Sequence, residues 1–314
     1  VLGYEELTPQ LVGECRNCGI CLRVCPRYDL QVEALETASF GRTRRADEPF
    51  GVFETLQVAQ TRDEAVREKG QDGGIATTLL TTALSTGMID GAVVSGVDSA
   101  TPWLPTPVAA TTHDEILACA GTRYTYSPGL FAFKEALEKG LKCIAFVGTP
   151  CQIQALRQME KSNLRKYTDP IAFTVGLFCS ESFTYGGLME RKIQRELGID
   201  LHQIVEMNIK GKMRVTRRDG EVYELPLKEL SEYVEPKCGY CTDFSAELAD
   251  IALGGVGLDS WTFVVVRTAK GAEVVRQAIE ARAVDVQPAA TFPRAGKLLR
   301  RLSKIKRNKA KALP

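Results

Sequence analysis

A chain of 314 residues, 44% hydrophobic and 25% charged, carries enough apolar material to bury a sizeable core, which excludes a disordered or fibrous protein. Its formal net charge of +1 argues against a general nucleic-acid coat. The opening VLGYEELTPQ lacks the basic start and apolar run of a secretory signal, and no apolar stretch approaches the ~20 residues that cross a bilayer, so a cytoplasmic location is expected. Thiols there stay reduced, which directs the 10 cysteines toward metal or redox chemistry and away from a disulfide framework.

Residues 1–40 read as a small cysteine module. Cys15, Cys18, Cys21 and Cys25 precede Pro26 in the spacing C-x2-C-x2-C-x3-C. Bacterial ferredoxins use this spacing to wrap thiolates around a 4Fe-4S cubane. Structural zinc sites separate two close pairs by a longer loop and fit the run poorly. Gly19, without a Cβ, lets the backbone close around a cluster. The fourth ligand is either Cys25 or a remote cysteine such as Cys119 or Cys143, because in two-cluster ferredoxins the last cysteine of such a run serves the other cluster. The local set is preferred here.

Residues 41–64, which include FGRTRRADEPFG, read as a charged, Gly/Pro-punctuated linker, and a larger domain follows over 65–290. GQDGGIATTLLTTALSTGMIDGAVVSG predicts loop, helix, strand. The alternation recurs at GLFAFKEALEKGLKCIAFVGTP, where Gly140 stops a helix before the buried-type strand CIAFV. This pattern predicts an α/β domain. MNIKGKMRVTRRDGEVYELPL then changes to period-2 stretches around an Asp219-Gly220 turn, a hairpin that makes the whole a mixed α+β chain. A cysteine loop, ELADIALGGVG, the strand WTFVVVRT and the helix GAEVVRQAIEARA complete the domain. The tail 291–314 has eight basic residues between Lys297 and Lys311, and Leu298, Leu299, Leu302 and Ile305 share one side of a helix. It is expected to dock peripherally on an acidic partner subunit, ahead of an anionic membrane surface, or to lie in solvent.

The other cysteines are placed with equal economy. Cys151 (VGTPCQIQALR) and Cys179 (GLFCSESF) each follow an apolar strand-like run, where open α/β sheets gather functional groups. The pair Cys238 and Cys241 (PKCGYCTDF) needs two more soft ligands, and these would complete a second 4Fe-4S site. The alternatives are that Cys151 and Cys179 are small buried hydrophobes, and that Cys238 and Cys241 form a thioredoxin-like dithiol, although they lack a βαβ context. His113 and His202 read as surface or structural residues.

Four further segments suit an anionic cofactor. Gly73 and Gly74 precede a helix whose first N–H groups can receive a pyrophosphate, with hydroxyls from Thr77 and Thr78; an ordinary turn is the alternative. AGTRYTYSPG offers Gly121, Thr122, Arg123, Tyr124 and Ser127, which combine close backbone approach, a phosphate-pairing cation and an aromatic face. Gly254 and Gly255 form another close-approach pair, and Lys210 and Lys212 flank Gly211. No clear G-x-G-x-x-G follows a strand, which lowers a nicotinamide-dependent diaphorase.

The succession GQDGGIATTLLTTALSTGMIDGAVV, AGTRYTYSPG, GTPCQIQALR, GLFCSESF, LPLKEL, CGYCTDFSAELADIALGGVG, over roughly residues 65–285, resembles the FrhB/FdhB family. These are the β subunits of coenzyme F-420-reducing hydrogenases and formate dehydrogenases, related to F-420H2 dehydrogenase input subunits and to certain chlorophyllide reductases. The resemblance implies a flavoprotein core that binds FAD, with Cys151, Cys179, Cys238 and Cys241 ligating a 4Fe-4S cluster close to the flavin. The N-terminal ferredoxin-like group, seen in some members only, would supply a second cluster. Electron counting gives the path: F-420 exchanges a hydride, clusters carry single electrons, and FAD converts between them. The partners would be catalytic and electron-transfer subunits of a hydrogenase, formate dehydrogenase, heterodisulfide reductase or membrane dehydrogenase. The rivals are a chlorophyllide-type reductase and a non-enzymatic electron relay.

Overall fold

β-Branched runs flanked by glycine build the strands, and apolar residues at helical spacing build the layers over them. The computed structural model describes residues 2–5 and 8–312. Its strands are β1 (Leu2–Glu5), β2 (Thr8–Leu11), β3 (Thr55–Thr61), β4 (Gly91–Val97), β5 (Pro105–Ala110), β6 (Ile144–Gly148), β7 (Ile171–Leu177), β8 (Ile204–Ile209), β9 (Lys212–Arg217), β10 (Val222–Pro226), β11 (Ile251–Gly254), β12 (Thr262–Val266) and β13 (Val284–Pro288). The α-helices are α1 (Ile20–Val24), α2 (Val32–Phe40), α3 (Glu64–Lys69), α4 (Ile75–Ser85), α5 (His113–Ala118), α6 (Ala132–Glu138), α7 (Pro150–Lys161), α8 (Arg165–Thr168), α9 (Ala269–Glu280) and α10 (Pro293–Lys309).

Among the described residues, eight strands form one sheet in the order β13-β3-β12-β11-β7-β6-β4-β5. Its centre is parallel, from β4 through β6 and β7 to β11, and the flanking strands run antiparallel. Strands buried on both faces need continuous apolar sequence, which β12 supplies as TFVVV, buried throughout. The pleat divides the side chains: on β4, Val93 faces a layer containing α2, α6, α7 and α10, while Ala92 and Val94 face α4, α5 and α9. A second sheet, β10-β9-β8, packs with the π-type helix Gly186–Glu196 around a separate small core. The predicted hairpin is β9–β10, and Gly220 sits at φ 88° in its turn. The mixed α/β reading therefore describes the chain.

One buried carboxylate locks the parallel centre. Asp250, just before β11, accepts from the Thr174 amide (2.8 Å) and hydroxyl (2.7 Å) on β7 and from the Thr268 hydroxyl (2.8 Å) that caps α9. Arg157 of α7 pairs with it at 3.3 Å.

Two expectations need correction. The segment expected to be a linker is built into the core: Phe50 and Glu48 are each 1% exposed. Arg42 grips both Glu48 oxygens at 2.7 Å, and this hydrogen bonding holds Glu48 down to about 2. The charges that make this segment look solvated are paired with buried carboxylates instead. The tail is likewise a helix of the chain's own core. Along α10, Ala295, Leu299 and Ser303 fall four residues apart and are buried, while Lys297, Arg301 and Lys304 face outward. The surface on which the apolar stripe docks belongs to this chain.

Leu299→Ala is expected to lower stability by about 2–5 kcal/mol, read from chemical denaturation, while the outward Lys304→Ala should stay within about 0.5 kcal/mol. Equal, small effects for both would mean that α10 is a loosely attached end.

Candidate functional site

Parallel strands end on a common edge, and the loops leaving that edge carry Cys151 after β6, Cys179 after β7 and Gly255 after β11. After β6, Thr149 and Gln152 form a reciprocal capping box and Pro150 opens α7, which fixes Cys151 in the first helical turn. Its Sγ lies 3.3 Å from the Thr149 hydroxyl. After β7, the Cys179 amide donates to the Phe244 carbonyl at 2.8 Å. The Cys-x2-Cys pair closes a short 3-10 turn, Pro236–Tyr240, and the Ser182 amide donates to Cys238 Sγ at 3.4 Å. From the far side, Lys306 of α10 donates to the carbonyls of Cys238 (3.1 Å) and Ser180.

The four thiols share one neighbourhood, and three of them register it in their titration. Burial first, then the charges of Cys151, Cys238 and Cys241, push Cys179 far above the usual thiol range. Burial pushes Cys238 up to about 11, against the opposing Ser182 amide and Lys306. Burial also raises Cys241, and the Arg27 guanidinium draws it back. Among the described residues no group of three His, Cys, Asp or Glu side chains is placed so that it could hold a metal ion, so the thiols are neighbours without forming a coordination shell. Thiols whose ionisation is opposed by burial and by one another's charge fit a cationic centre, which would favour the thiolates and offset their repulsion.

Cys15, Cys18 and Cys21 are exposed and Cys25 is half-buried. Gly19, at φ 70°, leads into α1, which packs on α7, and Gln158 of α7 donates to the Asp29 carbonyl at 2.7 Å. The N-terminal run thus lies against the helix that carries Cys151. Cys143 is exposed at the opposite end of β6 from Cys151, and Cys119 caps α5.

The glycines answer first to the chain itself. A Cβ on Gly73 would stand 2.5 Å from the Ala59 carbonyl and 2.8 Å from the Thr262 amide, and the Gly73 amide donates to Thr262 Oγ1 at 3.0 Å. Thr78 bonds Thr61 Oγ1 (2.7 Å) and the Gly74 carbonyl (3.1 Å), inside the core. Thr77 is also buried. The first turn of α4 has no acidic residue and no side-chain cap, which leaves its dipole open to an anion. Arg123 Nη1 donates to the carbonyls of Cys119, Ala120 and Gly121 at 2.7–2.9 Å, capping the end of α5. Thr122 lies half-exposed beside it. The Tyr124 hydroxyl accepts from the Ile209 amide at 3.1 Å, tying this loop to the small sheet. Ser127 bonds Ser95 of β4 (2.9 Å), and its carbonyl accepts from Gln152 of α7 (2.6 Å). Lys212 pairs with Glu224 across the hairpin at 3.0 Å, and Lys210 pairs with Asp259.

Gly254 and Gly255 are bare where other side chains press. A Cβ on the first would lie 2.1 Å from the Phe178 ring, and one on the second 2.2 Å from Asp72 Oδ2. Asp72 is the residue that sequence reasoning missed, although an acid embedded in GQDGG is itself a signal. It adopts φ 51°, and burial pushes its carboxyl up to about 6, with Lys210 opposing.

Two family models match, those of the N-terminal and C-terminal parts of the Coenzyme F420 hydrogenase/dehydrogenase beta subunit, the first over residues 56–134 and the second over 141–291. The N-terminal cysteine run lies outside both. A coenzyme F420 hydrogenase subunit beta from Methanothermobacter thermautotrophicus is 38% identical over 83% of this chain and 94% of the relative. The F subunit of an F(420)H(2) dehydrogenase from Methanosarcina mazei is 33% identical over 82% of this chain and 68% of that protein. Among solved structures, one chain of the F420-reducing [NiFe] hydrogenase complex from Methanosarcina barkeri superposes with a TM-score of 0.81 at 38% identity, covering 85% of this chain and 93% of that one. Sequence, fold and strand-edge loops agree: the chain belongs to the coenzyme F420 hydrogenase/dehydrogenase β-subunit family.

Proposed function

We propose that this chain is the iron-sulfur flavoprotein subunit of a redox complex, an oxidoreductase that passes electrons between coenzyme F-420 and 4Fe-4S clusters by way of FAD, in the cytoplasm. The observation that carries the reading is the gathering of Cys151, Cys179, Cys238 and Cys241 from three loops, with Cys179 feeling the other three, Cys238 feeling Cys151 and Cys241, and Cys241 feeling Cys151. Scattered buried cysteines have no reason to converge, and a dithiol would need only the pair.

The four thiols hold the inner cluster in this proposal, with the Ser182 amide and Lys306 fixing the Cys238 loop. FAD, when bound, accepts the two electrons of a hydride and releases them singly. Its phosphates are taken by the open first turn of α4 after Gly73 and Gly74, and its length runs past Tyr124, Lys210 and Gly255. Thr78, Arg123 and Lys212 support these loops from within the chain and need not touch the cofactor. Cys15, Cys18, Cys21 and Cys25 hold an outer cluster; the reach of Arg27 to Cys241 sets that run beside the inner one. The exposure of Cys15, Cys18 and Cys21 suits delivery to a partner subunit.

The anaerobically purified chain should contain FAD and about eight irons, two 4Fe-4S clusters. Stoichiometric zinc without acid-labile sulfide would end the cluster assignment. The flavin should be bleached by reduced F-420 far faster than by NADH or NADPH, and a chain that carries clusters but no flavin would be a relay only.

The relay order is tested by a pair of variants. Cys18→Ala is expected to keep F-420H2-driven flavin reduction and transfer to a small dye while transfer to the natural partner collapses. Cys241→Ala is expected to lose the inner cluster, flavin binding and activity together. Loss of flavin reduction in Cys18→Ala with normal behaviour in Cys241→Ala would reverse the order.

A further inference from the structure

Asp72 carries a half-buried carboxyl that the fold confines and that no described residue hydrogen-bonds. It sits in the left-handed region at φ 51°, a conformation disfavoured for residues with a Cβ, directly before Gly73, whose amide is fixed to Thr262. The missing side chain of Gly255 makes the room that Asp72 Oδ2 occupies. Among the described residues no group hydrogen-bonds this carboxyl. Lys210 faces it from the β8–β9 turn and favours its charge; Asp259 from the β11–β12 loop and Glu206 from β8 oppose it, and Tyr124 lies within its electrostatic reach. Lys210 is itself engaged by Asp259. A half-buried carboxyl that no described residue hydrogen-bonds, held at a left-handed backbone position, is disfavoured in its charged form while still open to water, and it stands at the edge where the proposed cofactor loops meet.

We propose that Asp72 takes up the proton that reduced F-420 gives off when its hydride passes to the flavin, and returns that proton in the reverse direction. The role rests on the F-420 and FAD reading above. Reduced F-420 loses a hydride from carbon, with both electrons of the broken C–H bond, and a proton from a ring nitrogen. The hydride forms an N–H bond on oxidised FAD, giving the singly anionic reduced flavin. The proton forms an O–H bond on the Asp72 carboxylate, giving the carboxylic acid, which then releases it to water. Burial, having moved the Asp72 carboxyl up to about 6, matches it to a proton acceptor working near neutrality.

The test uses the FAD-loaded chain and the ligand-free chain. In single-turnover mixing with reduced F-420, wild-type flavin bleaching should rise with pH through a break near 6, because only the ionised carboxyl accepts. Asp72→Asn, whose side chain tolerates the left-handed backbone, should bleach about 10²–10⁴-fold more slowly with the break gone, while reduction by dithionite is unchanged. Asp72→Glu should recover part of the rate. In the ligand-free chain, infrared spectroscopy should reveal a protonated carboxyl that ionises near pH 6 and disappears in Asp72→Asn. A wild-type rate and break in Asp72→Asn, or a carboxyl that ionises in the ordinary aspartate range, would overturn the role. A wild-type flavin that reduced F-420 does not bleach would overturn the functional reading, and this role with it.

Discussion

Glu247 is the point through which distant parts of the chain are tied. It is 5% exposed and receives two guanidinium groups, Arg44 at 2.5 Å and Arg307 at 2.7 Å, from segments at opposite ends of the sequence. Arg44 also pairs with the buried Glu36 of α2, and Arg307 reaches the Pro49 carbonyl. The Glu247 amide donates to Asp243 at 2.9 Å, two residues beyond Cys241. Behind this group, the fully buried Arg267 donates to the carbonyls of Val52 and Ser245. Removing one partner from such a network strands a charge in the core, a loss of about 3–5 kcal/mol. The cysteine loop is therefore braced from behind by charges whose first duty is to hold the N-terminal segment and α10 onto the sheet.

That bracing explains how one edge can gather both the cysteine loops and the glycine loops. The thiols come from the loops after β6 and β7 and from the Cys-x2-Cys turn; the glycine loops come from the ends of β3 and β11. The small sheet closes over both. Tyr124 bonds Ile209, Thr125 pairs with Phe183, and Phe183 pairs with Val234 ahead of the cysteine turn. Movement of the small sheet would thus be felt in the Tyr124 loop and at Cys238 together.

Local chemistry is legible in the sequence, and remote pairing is not. The spacing of Cys15 to Cys25, the helix–strand alternation and the Asp219-Gly220 hairpin are all decided within a few residues, so their patterns survive in a linear reading. The segment 41–64 misleads because Arg42 and Arg44 read as solvated until Glu48, Glu36 and Glu247 are brought beside them. The tail misleads for the same reason: its apolar stripe is visible, but its docking surface is scattered through the rest of the chain. Gly73 and Gly255 look like approaches to a cofactor, and each is first required by a close neighbour, β3 with β12 in one case and Asp72 in the other. The importance of Asp72 depends on Gly255 and Lys210, which no local pattern could connect to it.

The arrangement of the two cysteine sets follows from a single rigid element. Cys151 stands in the first turn of α7, and Gln158, seven residues on and so about 10 Å along the axis, anchors the Asp29 carbonyl just past the N-terminal run. α1 packs on the same helix, and the Arg27 charge acts on Cys241. Both sets are therefore referenced to one helix whose ends are capped and whose Arg157 is bound to Asp250 at the sheet centre. A module swinging on a linker would present its thiols to the inner set only intermittently. One bonded to α7 keeps a fixed separation and leaves Cys15, Cys18 and Cys21 exposed, as the relay proposed above would need.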